Sequence, residues 1–450
     1  VTDFRGQVDD PDIKATYAVD QSVATPPEGD FTLVRARDLA DVVEVLTEAQ
    51  ARGIPVVPQG ARSGRAGGAV AVEGGIVLNV MGLAGVSTVD DVEGIAVCGP
   101  GTVTADLKQA AAAHGLFYPP DPASVAFCSV GGNVATNAGG LCCVKYGVTA
   151  DHVRGLQVVL AGGEVIRTGR HTAKGVAGLD LTGLFVGSEG TLGVVTEVVA
   201  SLLPAPAPAL TALATFDSLD AASRAIVALR RDPHRPSMAE LLDAFSIKAV
   251  QQLGDYGFPS DCAAVLLVQS DRDGHTREDV QRYGDLLSTA GATEIAVADD
   301  PAEAEALMAG RRVVSTALEG HGARMVEDVC VPIARLTELV ERSQSVCRSL
   351  GVEVAFSGHA GDGNLHPSLF FDAGDPASRE RAEAAFGEIV DLALGMGGTI
   401  TGEHGVGSLK APWLRRELGD AEIQRQQRIK AVFDPAGILN PGRVYPPLAG

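Results

Sequence analysis

Aromatic side chains are scarce: 13 Phe, 6 Tyr and one Trp amount to 4% of 450 residues, so backbone turns and aliphatic packing must carry more of the structure than large rings. Basic residues are also in short supply. The 36 Lys and Arg face 57 Asp and Glu, a formal charge of −21, which argues against a nucleic-acid partner that needs basic surface. The seven cysteines are odd in number, never spaced Cys-x-x-Cys, and include the adjacent pair Cys142 and Cys143. Neither a disulfide framework nor a zinc or iron–sulfur cassette fits that pattern, and reduced thiols suit a cytoplasmic protein. No run of 18 apolar residues occurs, and Val1-Thr2-Asp3-Phe4-Arg5 leads into polar sequence without an apolar signal core. The expectation is a cytoplasmic chain without a transmembrane segment, with peripheral association at a membrane left open.

What is present is a globular composition, 46% hydrophobic and 21% charged, in a length that favours two or three domains. Glycine is abundant, 54 of 450 residues against an ordinary share of about 7%. The pattern over 31–36, 39–51 and 54–57 reads as strand, helix, strand. A helix is expected over 103–113 with Thr102 or Thr104 as cap, then an irregular stretch over 119–147, a hairpin over 152–168 and a strand over 193–203. The alternating prolines of Pro204-Ala205-Pro206-Ala207-Pro208 mark a stiff connector and a domain boundary. Beyond it, strands near 210–216, 263–269, 324–330, 352–356 and 366–371 alternate with helices near 218–230, 275–289, 302–318, 333–349 and 377–394, a layered α+β arrangement. The segment 433–443 is turn-rich, and no internal repeat is evident.

Two glycine-rich segments could approach a diphosphate closely with main-chain N–H groups. The first is Gly60-Ala61-Arg62-Ser63-Gly64-Arg65-Ala66-Gly67-Gly68 and the second Gly131-Gly132-Asn133-Val134-Ala135-Thr136-Asn137-Ala138-Gly139-Gly140. Neither carries the Rossmann or P-loop fingerprint, and each alone would equally serve as a surface turn. A third segment, Gly187-Ser188-Glu189-Gly190-Thr191-Leu192-Gly193, shifts the balance towards a ligand site.

With Tyr118-Pro119-Pro120-Asp121-Pro122-Ala123-Ser124 and Lys145-Tyr146-Gly147-Val148, these strings resemble the flavin domain of the vanillyl-alcohol oxidase type. The likeness is to its D-lactate dehydrogenase, glycolate oxidase subunit and D-2-hydroxyglutarate dehydrogenase branch, over about residues 15–445. The resemblance implies an α+β fold: a two-part FAD-binding domain (1–205), a ferredoxin-like α+β substrate and metal-binding domain (206–415), and a C-terminal segment (416–450) packing back on the first. It implies FAD held by Gly60, Arg62, Ser63, Gly64, Gly67, Gly68, Pro120, Asp121, Ser124, Gly131, Gly132, Asn133, Thr136, Asn137, Gly139, Gly140 and Val195. The first loop offers no His or Cys for covalent attachment, so the FAD is expected to be non-covalent. Arg62 and Arg65 depart from the family's Gly- and Thr-rich habit and either pair with the cofactor's charge or face solvent.

Three histidines cluster late in the chain, in Gly358-His359-Ala360-Gly361-Asp362-Gly363-Asn364-Leu365-His366 and Gly402-Glu403-His404-Gly405. The glycines forbid a helix between His359 and His366, so a fold-back turn must bring the imidazoles together. Two imidazoles and a carboxylate suit zinc with an open position, though glycine-flanked histidines also serve as plain turn residues. By the resemblance, His359, His366 and Glu403 hold a divalent metal, with zinc favoured and manganese or iron as alternatives. Asn364 orients a ligand or substrate, and Asp362 supports a metal-bound imidazole from behind.

Removing hydride from an alcohol carbon requires a base and a positive group at the developing alkoxide. His404 is assigned as the base and the metal as the positive group. Arg311 matches the family's position for the substrate carboxylate, with Ser315 one turn on in the same helix. Met308 stands where relatives often carry Trp, and Val326 where the hydroxyglutarate branch carries Lys, which favours a lactate- or glycolate-sized acid. The implied function is FAD-dependent oxidation of a small D-2-hydroxy acid to the 2-oxo acid. A metal-free flavin sugar or alcohol oxidase and a zinc hydrolase of a phosphorylated substrate are the alternatives. Electrons must leave to a separate acceptor, a quinone, an electron-transfer protein or oxygen, and a homodimer is compatible with the sequence. Lys410 is read as a surface lysine, and Cys128, Cys142 and Cys143 as packing residues.

Overall fold

The computed structural model describes residues 3–259 and 261–445; Val1 and Thr2, part of the polar start, lie outside them. By its packing the chain divides into two units, 1–140 with 147–205 and 403–450, and 141–146 with 206–402. Among the described residues no helix is long and apolar enough to cross a membrane.

The first unit holds a two-stranded sheet that pairs Leu116–Phe117 with Leu203–Pro204, and two larger ones. One has the order Gln7–Val8, Thr32–Arg35, Ile76–Asn79, Val56–Gln59, its last three strands parallel. Helix Leu39–Arg52, capped by Asp38 and ended by left-handed Gly53, returns the chain between two of them. Its Val42, Val45, Leu46 and Ala49 recur at helical spacing and pack with Val34, Val56 and Leu78 in one core, each large apolar side chain contributing about 1.5–3 kcal/mol by burial. The other sheet is antiparallel: Val86–Asp90, Ile95–Cys98, Val194–Ser201, Val153–Val159, Val165–Gly169. The expected hairpin over 152–168 is its last pair.

The second unit is built on one antiparallel sheet in the order Glu294–Val297, Leu210–Phe216, Ala264–Ser270, Met238–Asp243, Val354–Gly358, Asn364–Phe371, Ala323–Val326. In chain order its first four strands lie 4-1-3-2, with helices Leu219–Arg231 and Thr276–Ala290 as crossovers, the ferredoxin-like arrangement. Of the remaining four, Val329–Cys330 pairs with Asn364–Phe371 off the main path, and the other three repeat the 1-3-2 part of that order with helix Leu336–Leu350 as crossover. The unit therefore contains a structural repeat that the sequence does not announce, because the two runs share topology rather than residues.

Several local expectations are corrected. Strands Met238–Asp243 and Glu294–Val297 and helix Ala244–Leu253 went unread, as did helices Ala411–Leu418 and Asp420–Phe433. The irregular stretch 119–147 contains helices Val130–Thr136 and Cys143–Tyr146. Neither Thr102 nor Thr104 caps the helix Thr104–Ala112; both hydroxyls are drawn into tertiary bonds, to the Gly85 and Cys128 carbonyls. The helix expected over 302–318 is two, Pro301–Arg312 and Val314–Glu319, which puts Ser315 on a different helix from Arg311.

Candidate functional site

In the first unit the loop after strand Val56–Gln59 is shaped by its main chain. Among the described residues, the N–H groups of residues 60–64 and 66–68 donate to no protein acceptor, although Ala66 and Gly67 are buried. Buried donors are almost always paired, so those of Ala66 and Gly67 call for an acceptor from outside the chain, while the half-buried ones of residues 60–64 and 68 stay open to a ligand or water. Arg62 and Gly67 adopt left-handed φ of 61° and 76°, reversals of the kind that build main-chain anion nests. A Cβ placed on Gly64 would meet nothing within 4 Å, so the loop borders open space. These features fit the diphosphate of FAD. The Arg62 guanidinium stacks on Tyr17, 4.3 Å from the ring centroid.

The second glycine segment is organised differently. Ser129 caps helix Val130–Thr136 by accepting from Gly132 N, and Gly131 N donates to the Pro100 carbonyl at 2.8 Å. Asn133 Nδ2 donates to Thr104 Oγ1 at 2.8 Å, the Thr136 hydroxyl returns to the Gly132 carbonyl, and Asn137 Oδ1 accepts from Ala150 N. These polar groups hold the helix in place. The Ser124 carbonyl accepts from Phe127 N and Cys128 N, and Val195 pairs with Val158 within the sheet.

Glu189 is buried in the third segment with φ 50° and accepts from Val406 N at 2.7 Å and Gly407 N at 2.8 Å. Burial pushes its carboxyl up to about 7, offset in part by those N–H groups and by the charge of Lys410. Lys410 is itself buried, 3% exposed, which overturns its reading as a surface lysine. A charged residue two positions beyond Ser408 gives no sequence sign of burial.

In the second unit the expected fold-back forms. A short turn, Ala360–Asp362, joins strands Val354–Gly358 and Asn364–Phe371 and brings the His359 and His366 rings to 5.1 Å, edge on at 83°. The partner behind His359 Nδ1 is Glu240. Glu240 Oε1 lies 2.6 Å from His359 Nδ1, while Cys330 Sγ donates to the Asp362 carbonyl. Glu240 Oε2 receives both Nε and Nη2 of Arg311 at 2.7 Å. Burial alone would raise the Glu240 carboxyl, but the His359 and Arg311 charges and their hydrogen bonds outweigh it and hold the carboxyl below its ordinary range. Asp328 Oδ1 lies 3.7 Å from His366 Nδ1, and Asp328 Oδ2 accepts from Thr401 Oγ1 and Gly402 N.

The His359 charge that acts on Glu240 belongs to the doubly protonated ring; in the neutral ring a proton on Nδ1, shared with Glu240, would leave the Nε2 lone pair for a ligand, the arrangement usual behind metal-bound imidazoles. The donor set therefore fits a divalent metal. Asn364 packs against Gly402, where a Cβ would lie 2.2 Å from Asn364 Nδ2 and would displace that side chain. Asn364 Oδ1 is buried and accepts from none of the described residues, which also fits a ligand. Arg311 is 13% exposed and keeps its Nη1 edge outside the Glu240 pair. Ser315 Oγ instead accepts from Arg324 and faces Glu319 on the exposed side of its helix. Glu403 and His404 follow Gly402 directly and belong to the first unit. Sequence reasoning missed Glu240 and Asp328. Glu240 sits in Met238–Asp243, where an acid flanked by Ala and Leu reads as solvent-facing alternation.

Comparison with known proteins agrees with these features. Residues 32–169 match the family profile of an FAD binding domain, and residues 205–444 that of FAD linked oxidases, C-terminal domain. Glycolate oxidase subunit GlcD of Bacillus subtilis (strain 168) is 39% identical over 92% of this chain and 88% of its own. A D-lactate dehydrogenase of Anaerostipes hadrus is 33% identical over 92% of this chain and 89% of its own. The crystal structure of p-cresol methylhydroxylase with substrate bound superposes with a TM-score of 0.80 over 98% of this chain and 93% of that one, at 17% identity, a likeness of fold. The chain is an FAD-linked oxidoreductase and belongs to the family of FAD-linked oxidases that includes the glycolate oxidase subunit and D-lactate dehydrogenases.

Proposed function

We propose that the protein oxidises a small D-2-hydroxy acid, D-lactate or glycolate, to the 2-oxo acid with FAD and a divalent metal. The observation that carries this reading is the Glu240 clamp, one buried acid that holds both the Arg311 guanidinium and the His359 imidazole. FAD supplies the acceptor for the hydrogen on C2, and the metal supplies positive charge where the C2 oxygen loses its proton. Arg311 binds the substrate carboxylate through its Nη1 edge, and Asn364 orients the hydroxyl. His359 and His366 hold the metal with Glu403 as third ligand; the anchoring of Gly402 N on Asp328, which also faces His366, supports this, because Glu403 is the next residue. His404 takes the hydroxyl proton. The non-covalent FAD lies with its diphosphate against residues 60–68. Val326 offers no cation to a second substrate carboxylate, and the names of the relatives favour the same small acids.

Anaerobic addition of D-lactate or glycolate to the purified yellow protein is expected to bleach the flavin band, and prior treatment with a chelator to abolish bleaching while sparing the oxidised spectrum. Bleaching that survives complete metal removal would contradict the metal's role. A flavoprotein inert to both acids would contradict the substrate.

A further inference from the structure

The second half of the loop that borders the open space at Gly64 is held through its carbonyls. Five consecutive carbonyls, residues 66–70, are all engaged. Ala66 O accepts from Ser408 N and Leu409 N at 3.0 and 3.1 Å. Gly67 O accepts from Ser408 Oγ and Arg443 Nε, each at 3.3 Å, and Gly68 O from Asn440 Nδ2 at 2.9 Å. Ala69 O accepts from Gln59 Nε2 and Val70 O from Arg443 Nη2, each at 2.6 Å. Four of these five are held from the segment 408–443, which lies within the stretch matching the C-terminal family profile rather than the FAD binding one. The segment is itself tied down: Glu189 holds Val406 N and Gly407 N, and Asn440 donates also to the Glu189 carbonyl at 2.7 Å.

In a planar trans peptide the C=O of one residue and the N–H of the next point in opposite directions. Fixing Ala66 O and Gly67 O therefore aims the N–H groups of Gly67 and Gly68 away from the strap, and these are among the donors without a protein acceptor. We propose that Ser408, Asn440 and Arg443 are positioning residues for FAD: they touch no cofactor atom in this scheme but hold the loop so that its N–H groups converge on the diphosphate. This rests on the reading of residues 60–68 as the diphosphate cradle. Pre-organisation of this kind lowers the ordering cost of binding, and by linkage the bound cofactor must in turn stabilise the strap.

The test is titration of FAD into apoprotein, followed by quenching of flavin fluorescence, beside the unfolding midpoint of each apoprotein. Arg443→Met is expected to raise the FAD Kd about 10- to 100-fold, the effect of hydrogen bonds made by a charged group, with Arg443→Lys recovering part of it. Arg154→Met removes bonds to Glu93 O, His171 O and Ser201 Oγ in the same unit without touching the loop, and is expected to leave the Kd unchanged. If Arg443→Met binds FAD as tightly as Arg154→Met does, the proposal fails. Should Arg443→Met not fold, Ser408→Ala carries the same test with an expected loss of about threefold, and an unchanged Kd there overturns it. Gly64→Leu separates the two layers of argument. A Gly64→Leu chain with unaltered FAD affinity sinks the cradle reading itself, whereas weakened binding there with an unaltered Arg443→Met sinks only the strap.

Discussion

Two buried glutamates, one in each unit, end in opposite states. Glu189 accepts only main-chain N–H groups and its carboxyl rises to about 7. Glu240, fully shielded, sits between the charges of His359 and Arg311 and stays below its ordinary range. Burial pushes both upward; at Glu189 two main-chain N–H groups and the charge of Lys410 offset only part of that push, whereas at Glu240 the hydrogen-bonded His359 and Arg311 outweigh it. The same difference runs through the two units. Around the 60–68 and 131–140 segments the first unit spends its side chains on holding backbone; around His359 the second unit pairs side chain with side chain.

The contrast breaks most visibly at Arg311. Arg311→Met should lower kcat/KM for the hydroxy acid by about 10³-fold or more, because it removes the substrate's cation and leaves Glu240 buried with one partner fewer. Steady-state kinetics measure this, and Arg311→Lys should recover little, since a point charge cannot serve Glu240 and a substrate carboxylate together. Near-complete recovery by Lys would show that a fork is not needed. Glu240→Gln keeps the shape but can accept from only one of the two donors. Divalent-metal affinity of the metal-stripped flavoprotein, read by calorimetric titration, should fall about 10- to 100-fold while FAD content is kept. An unchanged metal affinity would remove Glu240 from any role behind His359.

At Glu189 the expected signature is a pH slope. Its carboxyl titrates near 7 in the fold against an ordinary value of 4.5, so the folded state favours the protonated form. The associated stability is fully present below about pH 4.5 and is lost as pH rises through about 7, by a few kcal/mol at most. Trp413, the sole tryptophan, lies in the same unit, so its fluorescence in the apoprotein reports unfolding there. The midpoint should decline from pH 5 to pH 8, and Glu189→Gln should flatten that decline. A slope that persists in the Gln chain assigns it to another group.

Much of this was legible in the sequence, and the gaps have physical causes. Glycine spacing between His359 and His366 forced a fold-back, and a fold-back is what forms. Helical periodicity placed Leu39–Arg52, Leu219–Arg231 and Pro376–Gly395 closely, because one-sided burial writes itself into local pattern. Strand Met238–Asp243 is buried throughout yet carries two acids, so its polarity pattern suggests an exposed face that does not exist, and Glu240 was lost with it. Partners more than 70 positions apart, as Arg311 and Glu240 are, leave no local mark. Lys410 failed for the same reason: its burial depends on distant chain. Glycine content marked Gly131–Gly140 as a loop, whereas the Ser129 cap and the tertiary bond from Asn133 make much of it a helix.

Asn133 gives the finest test of the comparison. The family resemblance places it among the FAD contacts, yet its side chain is buried, 3% exposed, and donates to Thr104 Oγ1. If polar side chains in the first unit serve mainly to hold backbone, Asn133→Ala should lower unfolding stability by about 1–3 kcal/mol, the cost of a buried hydrogen bond with one partner removed. It should shift the FAD Kd far less than a substitution on the 60–68 loop does. Chemical denaturation followed by Trp413 fluorescence gives the first quantity and flavin titration the second. A variant that keeps its stability but loses FAD would make Asn133 a direct contact, and would mean that this unit, like its neighbour, recognises its ligand through side chains.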